Sequence, residues 1–129
     1  MSIKNNLNND YIFNEYIKKQ VKYHNKKCEY KGLKFDSLKE RNHYIVLEHL
    51  EKTGQIKDLR RQVKFLLQPS FKLNGKTIRA INYIADFTYL KDGILVVVDV
   101  KSEITRKDKV YNLKKKMFQY KYGMDIVEV

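Results

Sequence analysis

Several residue types that mark common protein classes are scarce in this sequence of 129 residues. Its single cysteine excludes an internal disulfide and suits a reducing compartment. No apolar run approaches the roughly 18 residues of a membrane-spanning helix, and the N-terminus lacks the apolar stretch of a signal peptide. We therefore expect a cytoplasmic protein without a membrane partner.

Ligands for zinc are scarce as well. With three histidines in the chain, a closed zinc site cannot be assembled convincingly around Cys28 and the preceding His24. We interpret Cys28 as an ordinary thiol.

Acidic residues are few relative to basic ones. Lysine and arginine number 27 against 15 aspartates and glutamates, which gives a formal charge of +12. Such an excess favours a polyanionic partner, nucleic acid before an acidic membrane surface, although a basic surface can also be without function. The 43% hydrophobic content predicts a folded chain of one domain.

The N-terminal residues differ in composition from the rest. We predict a basic arm or helix over residues 1–30 and a folded domain over residues 31–129. Within the arm, residues 10–24 carry a weak helical pattern with lysines on the other face. This pattern is compatible with three roles for the segment: contact with DNA, dimerisation, or packing as a surface helix.

A helix is predicted from about Ser37 to Lys52, with Gly54 as its C-terminal stop. Ser37 and Glu40 fit a capping box. The apolar residues cover one arc of this helix: Tyr44, Val46, Leu47 and Leu50. Glu40 falls inside that arc, where it either caps the helix or serves a site.

Three strands should follow, over residues 56–72, 77–90 and 94–101. Asn74-Gly75 and Asp92-Gly93 are typical of tight hairpin turns, so the strands should form an antiparallel meander. Pro69 indicates an edge position or a bulge, because proline cannot donate to a strand ladder.

A last helix is predicted over residues 107–122, with Gly123 as its cap and a short strand over residues 125–129. Its expected inner stripe consists of Val110, Leu113, Met117 and Tyr120. Its lysines are candidates for contact with a nucleic-acid backbone, or they form a solvated face: Lys107, Lys114, Lys115 and Lys116.

Charged residues follow the most apolar strand of the chain. Residues 94–98 are apolar throughout, and Asp99 and Lys101 should point to one side because strand side chains alternate. Asp86 lies across the same hairpin. Charges at the end of a buried strand are costly to desolvate, which indicates a functional site, although an ion pair at a strand end is the alternative.

This set of groups suits metal-assisted phosphodiester hydrolysis. Asp86, Asp99 and the backbone carbonyl of Val100 are oxygen ligands of the kind that Mg²⁺ prefers. Lys101 could orient or deprotonate the attacking water and stabilise charge in the transition state. Glu40 could hold a second metal or a metal-bound water. Gln62 is either a further site residue or an exposed strand residue.

These features together resemble the PD-(D/E)xK nuclease superfamily. The resemblance rests on Asp86, the later Asp99-Val100-Lys101, Glu40 in the first helix, and the predicted α-β-β-β-α-β order, and it covers about residues 33–129. It is greatest to small nucleases encoded by phages and prophages, including those that resemble Holliday-junction resolvases. This sequence has Ala85 at the position where the superfamily's name has a proline.

The resemblance implies an α/β fold with a restriction-endonuclease-like core, in which a mixed central sheet is flanked by helices. It implies a DNA endonuclease that uses Mg²⁺, for which Mn²⁺ substitutes, with metal ligation by Asp86 and Asp99, a catalytic Lys101 and a supporting Glu40. Branched DNA is the expected substrate, a homodimer the expected assembly, and a bacterial host cell the expected location. The alternative is a non-catalytic nucleic-acid-binding or regulatory protein on the same fold.

Overall fold

The structure is a computed structural model that describes residues 27–129. The predicted helix of residues 10–24, and most of the predicted arm of residues 1–30, lie outside that range. The chain divides into two units, residues 1–42 and 43–129. Among the helices within residues 27–129, none is long and apolar enough to cross a membrane.

The described part of the first unit begins with a small hairpin. Strands β1 (Cys28–Tyr30) and β2 (Leu33–Phe35) pair antiparallel. Lys31 and Gly32 between them have φ of +49° and +80°, which is the backbone of a type I′ turn. Phe35 ends the hairpin with its side chain buried.

Helix α1 (Leu38–Lys52) confirms the first predicted helix. Its start is capped by the Ser37 hydroxyl, which accepts the backbone N–H of Glu40 at 3.1 Å. The predicted apolar arc is wrong at Val46, which is 55% exposed, whereas Leu47 is buried. Adjacent helical residues lie about 100° apart, so both cannot face the centre of the same core.

The second unit contains a sheet of four strands. Its strands are β3 (Lys57–Gln68), β6 (Ile81–Lys91), β7 (Ile94–Asp99) and β8 (Val127–Glu128). They lie in the order β3-β6-β7-β8, with antiparallel pairing except between β7 and β8, which are parallel. The predicted meander and the final strand are therefore present, and the fold is mixed α/β with a mixed central sheet.

The predicted strands 56–72 and 77–90 are each interrupted. Strands β4 (Phe71–Leu73) and β5 (Lys76–Ile78) form a separate two-stranded sheet around the Asn74-Gly75 turn. The break follows a register irregularity near Leu66 and Gln68 and coincides with Pro69, which has no N–H to donate. Beyond that point, the hairpin leaves the central sheet.

The last predicted helix, over residues 107–122, is confirmed as helix α3 (Lys109–Tyr122). A short helix that was not predicted, α2 (Glu103–Arg106), precedes it. Asp108 caps α3, because its carboxylate accepts the backbone N–H of Val110 at 2.8 Å. At the other end Gly123 has φ of +64° and closes the helix, as predicted.

The predicted inner stripe of α3 is wrong at three of its four residues. Val110 and Leu113 are each 60% exposed and Tyr120 is 93% exposed, and of the predicted stripe Met117 alone packs against the core. The buried face instead carries Tyr111 and Phe118. Aromatic rings bury more area and interlock with one another, which the aliphatic stripe cannot match.

The core between α3 and the sheet is largely aromatic. The ring centre of Phe118 lies 5.1 Å from that of Phe65 and 5.5 Å from that of Tyr83. Around them packs a cluster of buried residues that comprises Leu67, Tyr83, Ala85, Val97, Tyr111, Phe118 and Ile126. This core covers the face of the central sheet on which α3 packs.

Candidate functional site

Four polar residues lie in one row across the central sheet, one on each strand: Gln62, Asp86, Asp99 and Glu128. The β6–β7 register pairs Phe87 with Val98, so the next positions are Asp86 and Asp99. The flanking pairs of the β3–β6 ladder align Gln62 with Asp86, and the β7–β8 register pairs Asp99 with Glu128. The row brings together residues from distant parts of the sequence.

Asp86 fixes the chain at the point where β7 ends. One of its oxygens, Oδ2, accepts the backbone N–H of Val100 at 2.8 Å. The other, Oδ1, accepts a hydrogen bond from Gln62 Nε2 at 3.4 Å. Asp86 therefore contacts the residue directly after Asp99, and Gln62 does reach this site. The proposed use of the Val100 carbonyl as a ligand stays a prediction.

The backbone is irregular at this row. Gln62 has φ of +50°, which is uncommon for a residue other than glycine in the interior of a strand. Asp86 lies opposite it, between Ala85 of the core cluster with α3 and Phe87, which contacts the rings of His43 and Tyr44 on α1. Strain of this kind clusters at functional sites.

Asp99 is a buried carboxylate with two partners. Its residue is 3% exposed, its Oδ2 accepts the Tyr83 hydroxyl at 2.5 Å, and its Oδ1 lies 3.2 Å from Lys101 Nζ. The two charged side chains lie on one side, as predicted from strand alternation. Removing both from water is expensive, and the pairing offsets that cost only in part.

The backbone on either side of this ion pair is tied to the C-terminus. The N–H of Lys101 donates to the carbonyl of Val129 at 2.8 Å, and the N–H of Val129 donates to the carbonyl of Asp99 at 3.0 Å. Lys101 therefore lies beyond the end of β7 but keeps a defined position.

The Lys101 ammonium rests on an aromatic ring. Its Nζ lies 3.8 Å from the ring centre of Tyr111, a cation–π distance. The Tyr111 hydroxyl donates to Glu128 Oε2 at 2.9 Å, and Glu128 Oε1 lies 2.9 Å from Lys115 Nζ. A continuous series of polar contacts thus connects Asp99 with α3.

The four lysines predicted to contact nucleic acid differ in their surroundings. Lys115 is engaged in the ion pair with Glu128 and its side chain is 23% exposed, so it forms part of the support beneath Lys101. Lys107 and Lys116 are exposed and Lys114 is half-buried. Their contact with nucleic acid stays a prediction.

Burial and hydrogen bonding keep the two tyrosines protonated. Burial, and the hydrogen bond to Asp99, raise the pKa of Tyr83 well above its ordinary value. Burial, and the hydrogen bond to Glu128, do the same to the pKa of Tyr111. The hydrogen bond from Lys115, assisted by the one from Tyr111, lowers the pKa of Glu128. Both hydroxyls therefore act as hydrogen-bond donors, Tyr83 to Asp99 and Tyr111 to Glu128.

Glu40 belongs to the first unit. It is 4% exposed, and its backbone N–H takes part in the cap of α1. Its role as a metal ligand stays a prediction. Within residues 27–129, no group of three or more His, Cys, Asp and Glu side chains is arranged around a possible metal position.

Sequence reasoning did not assign roles to Tyr83, Tyr111 and Glu128. Tyr111 and Glu128 are 17 positions apart, and Tyr83 and Asp99 are 16 apart, so no local motif connects them. One signal was available for Tyr83. It lies three residues before Asp86 on a buried strand, where a tyrosine hydroxyl needs a partner.

Comparisons with known proteins identify a family. A family model described as "Protein of unknown function (DUF1064)" matches residues 20–127. No curated protein matches the chain. No solved structure matches it.

Proposed function

Since the chain belongs to the DUF1064 family, whose function is not assigned, we propose a function from its site: a metal-dependent endonuclease that hydrolyses DNA phosphodiester bonds. One observation carries the proposal. Asp99 is buried beside Asp86 at the end of an apolar strand, and the Lys101 ammonium lies 3.2 Å from its carboxylate. Buried charges in one place are typical of sites that use them.

The order of elements supports the finer fold assignment. Helix α1, strands β3, β6 and β7, helix α3 and strand β8 follow one another as α-β-β-β-α-β. This is the order expected of a restriction-endonuclease-like core, with β4, β5 and α2 as additions. Asp86 and Asp99-Val100-Lys101 lie on the second and third of these strands or directly after them, as in the PD-(D/E)xK motif.

The donor set at the row fits a small, hard cation. Asp86 and Asp99 supply two carboxylates, and Mg²⁺ or Mn²⁺ is usually held by one or two carboxylates together with water and phosphate oxygens. The carbonyl of Val100 is the further candidate ligand on the same unit. When bound, such an ion neutralises charge on the phosphate and lowers the pKa of a coordinated water.

The protein's own groups have separate tasks in this proposal. Tyr83 and Lys101 hold the carboxylate of Asp99 in one orientation, and Asp86 holds the backbone of Val100. The Lys101 ammonium stabilises negative charge that develops on the phosphate and orients the attacking water. The formal charge of +12 attracts a polyanion. Branched DNA, in a phage or prophage context within a bacterial cytoplasm, is the substrate that the resemblance suggests.

A second candidate is a non-catalytic nucleic-acid-binding protein. One observation favours it: Asp99 has both a hydroxyl and an ammonium as partners. With both partners in place, the buried carboxylate is compatible with the folded state without a bound metal. In that case the row would serve stability and the basic surface would serve binding.

One experiment distinguishes the two candidate functions. Asp86→Asn keeps the shape of the side chain and removes its charge, and Asp92→Asn does the same at the exposed β6–β7 turn, where φ of +52° suits asparagine. Labelled linear, flapped and four-way DNA are incubated with each protein in Mg²⁺, in Mn²⁺ and in EDTA. The endonuclease proposal expects cleavage by wild type and Asp92→Asn with metal, and none by Asp86→Asn. Binding without cleavage by wild type under all conditions contradicts it.

A further inference from the structure

The β3–β6 ladder continues beyond the central sheet. Its last pair is Gln68 with Ile81, and the ladder resumes in the same register with Phe71 and Ile78. The intervening break holds Pro69. We call residues 69–80 the ribbon: a two-stranded arm that ends in the Asn74-Gly75 turn.

The ribbon is exposed on both faces. Every residue of β4 and β5 is exposed, including three large apolar side chains: Phe71 at 44%, Leu73 at 57% and Ile78 at 38%. The register places these three on one face, since Phe71 pairs with Ile78 and Leu73 lies two residues after Phe71. A two-stranded hairpin has little stability of its own in water, and exposed apolar patches mark interaction sites.

The charge of the ribbon has one sign. It carries Lys72, Lys76 and Arg79 and has neither aspartate nor glutamate. Across residues 27–129, the ion pairs and side-chain hydrogen bonds do not involve these three cations. Three uncompensated cations within 12 residues make the arm complementary to a polyanion.

The base of the ribbon is held by α3. The carbonyl of Leu66 accepts hydrogen bonds from Lys121 Nζ and from the Tyr122 hydroxyl, each at 2.7 Å. The arm therefore projects from an anchored point.

We propose that the ribbon binds duplex DNA by entering a groove. The DNA major groove admits a two-stranded β-ribbon, and minor-groove proteins combine Lys and Arg contacts with apolar side chains inserted between base steps. The ribbon has both components. Phe71 and Leu73 share the face that would lie at the base edges, with Lys76 beside Leu73 on that face and Lys72 on the other. In this arrangement the cations contact phosphates on either side of the groove. An apolar arm for a protein partner has no need of such one-sided charge.

The proposal deepens the proposed function and rests on its choice of DNA as substrate. Along β6, Asp86 and Ile81 are five positions apart, which is about 16 Å at the rise of a strand. That length corresponds to roughly half a turn of duplex DNA, or about five base pairs. The ribbon would thus contact duplex DNA to one side of the bond that is cut.

Binding is measured in EDTA by fluorescence anisotropy on a labelled duplex, so that neither cleavage nor metal affects the result. The ribbon variant replaces Lys72, Lys76 and Arg79 with serine. The control variant makes the same change of charge at three exposed lysines outside the ribbon, Lys52, Lys57 and Lys91. We expect the ribbon variant to bind about tenfold or more weakly at near-physiological salt, with the slope of log K against log salt reduced by about 2–3. The control should change the affinity less than threefold, by about half a logarithmic unit at most.

A second variant separates the apolar contribution. Phe71→Ser combined with Leu73→Ser should weaken binding while leaving the salt slope unchanged, because it removes no phosphate contact. Thermal unfolding of every variant should match wild type, since the replaced side chains are exposed.

Three outcomes overturn the proposal in distinguishable ways. If wild type binds and cuts DNA but the ribbon variant binds like the control, the ribbon has no role in binding while the proposed function stands. If wild type does not bind DNA at all, the proposed function fails together with the ribbon proposal. If the apolar variant alters only the sedimentation of the protein, the ribbon contacts protein and not DNA.

Discussion

The β3–β6 ladder has two parts that differ in what covers them. Inside the central sheet, α3 packs on the strands, and charged groups such as Asp99 are buried. Beyond Pro69, the ribbon is uncovered, and apolar groups such as Leu73 are exposed. Both parts have strand geometry, so geometry does not set them apart. Each is unusual because burial and side-chain type disagree, and each is therefore a candidate site.

The largest effect is expected at Lys101, inside the sheet. Lys101→Met keeps the length of the stem but removes the charge, so we expect cleavage to fall by about 10²–10⁴-fold, as for loss of a positioned catalytic group. Lys91→Met, at the exposed end of β6, is the matched control and should retain activity. Single-turnover cleavage at saturating DNA measures both.

The result at Lys101 also has a stability component. Asp99 would keep Tyr83 as a partner but lose its opposite charge, which destabilises a buried carboxylate. Cleavage is therefore measured well below the melting temperature of each variant. Full activity of folded Lys101→Met would contradict the assignment of a catalytic role.

The two parts of the ladder should respond very differently to loss of apolar side chains. Phe118→Ala removes a fully buried ring from the core over the sheet, and we expect a loss of about 3–5 kcal/mol in the free energy of unfolding. Leu73→Ala in the ribbon should change it by less than about 0.5 kcal/mol, because the side chain is already 57% exposed. Urea unfolding measures both. Similar losses at the two positions would mean that the ribbon is covered in solution.

An intermediate effect is expected where Lys101 rests on Tyr111. Tyr111→Leu removes the ring that lies 3.8 Å from the ammonium, and we expect cleavage to fall by about tenfold, the equivalent of a desolvated cation–π contact of some 1–2 kcal/mol. Tyr111→Phe keeps the ring and loses only the hydrogen bond to Glu128, so it should recover most of that activity. A positioning role predicts that kcat changes more than KM.

The conservative variant makes this test decisive. A purely structural role for Tyr111 would lower the melting temperature of the leucine variant without the rescue of kcat by phenylalanine. Equal activity of the two variants at a temperature where both are folded would show that the ring does not position Lys101.

Local patterns predicted the parts of the site that lie close together in sequence. Side chains alternate along a strand, which predicts that Asp99 and Lys101 point to the same side. The Asp92-Gly93 turn predicts the β6–β7 hairpin. The buried face of α3 could not be predicted in this way, because the aliphatic and the aromatic residues of the helix both have helical spacing. The face that carries Phe118 is buried because its ring packs against aromatic rings on the sheet.

Other features depend on tertiary contacts and had no local signal. The ribbon leaves the sheet because β7 ends at Asp99 and the core under α3 extends along the ladder only to Leu67 and Ile81. The contact between Tyr111 and Glu128 requires the parallel pairing of β8, which brings the end of the chain beside β7. Such contacts between distant residues are outside the reach of periodicity and turn rules.

The smallest effect is expected at Glu128, whose ion pair supports the covered part of the ladder. Its pKa lies below the ordinary value of 4.5, because Lys115 and Tyr111 donate to the carboxylate. The charged form therefore stabilises the folded state above pH 4.5, and this contribution disappears as the pH falls through the lowered pKa. Glu128→Gln should cost at most about 1 kcal/mol at pH 7, and progressively less as the pH falls below 4.5. Thermal melts across this range measure the difference, and a gap between wild type and Glu128→Gln that widens toward low pH would reverse the sign and exclude the charged carboxylate as the stabilising form.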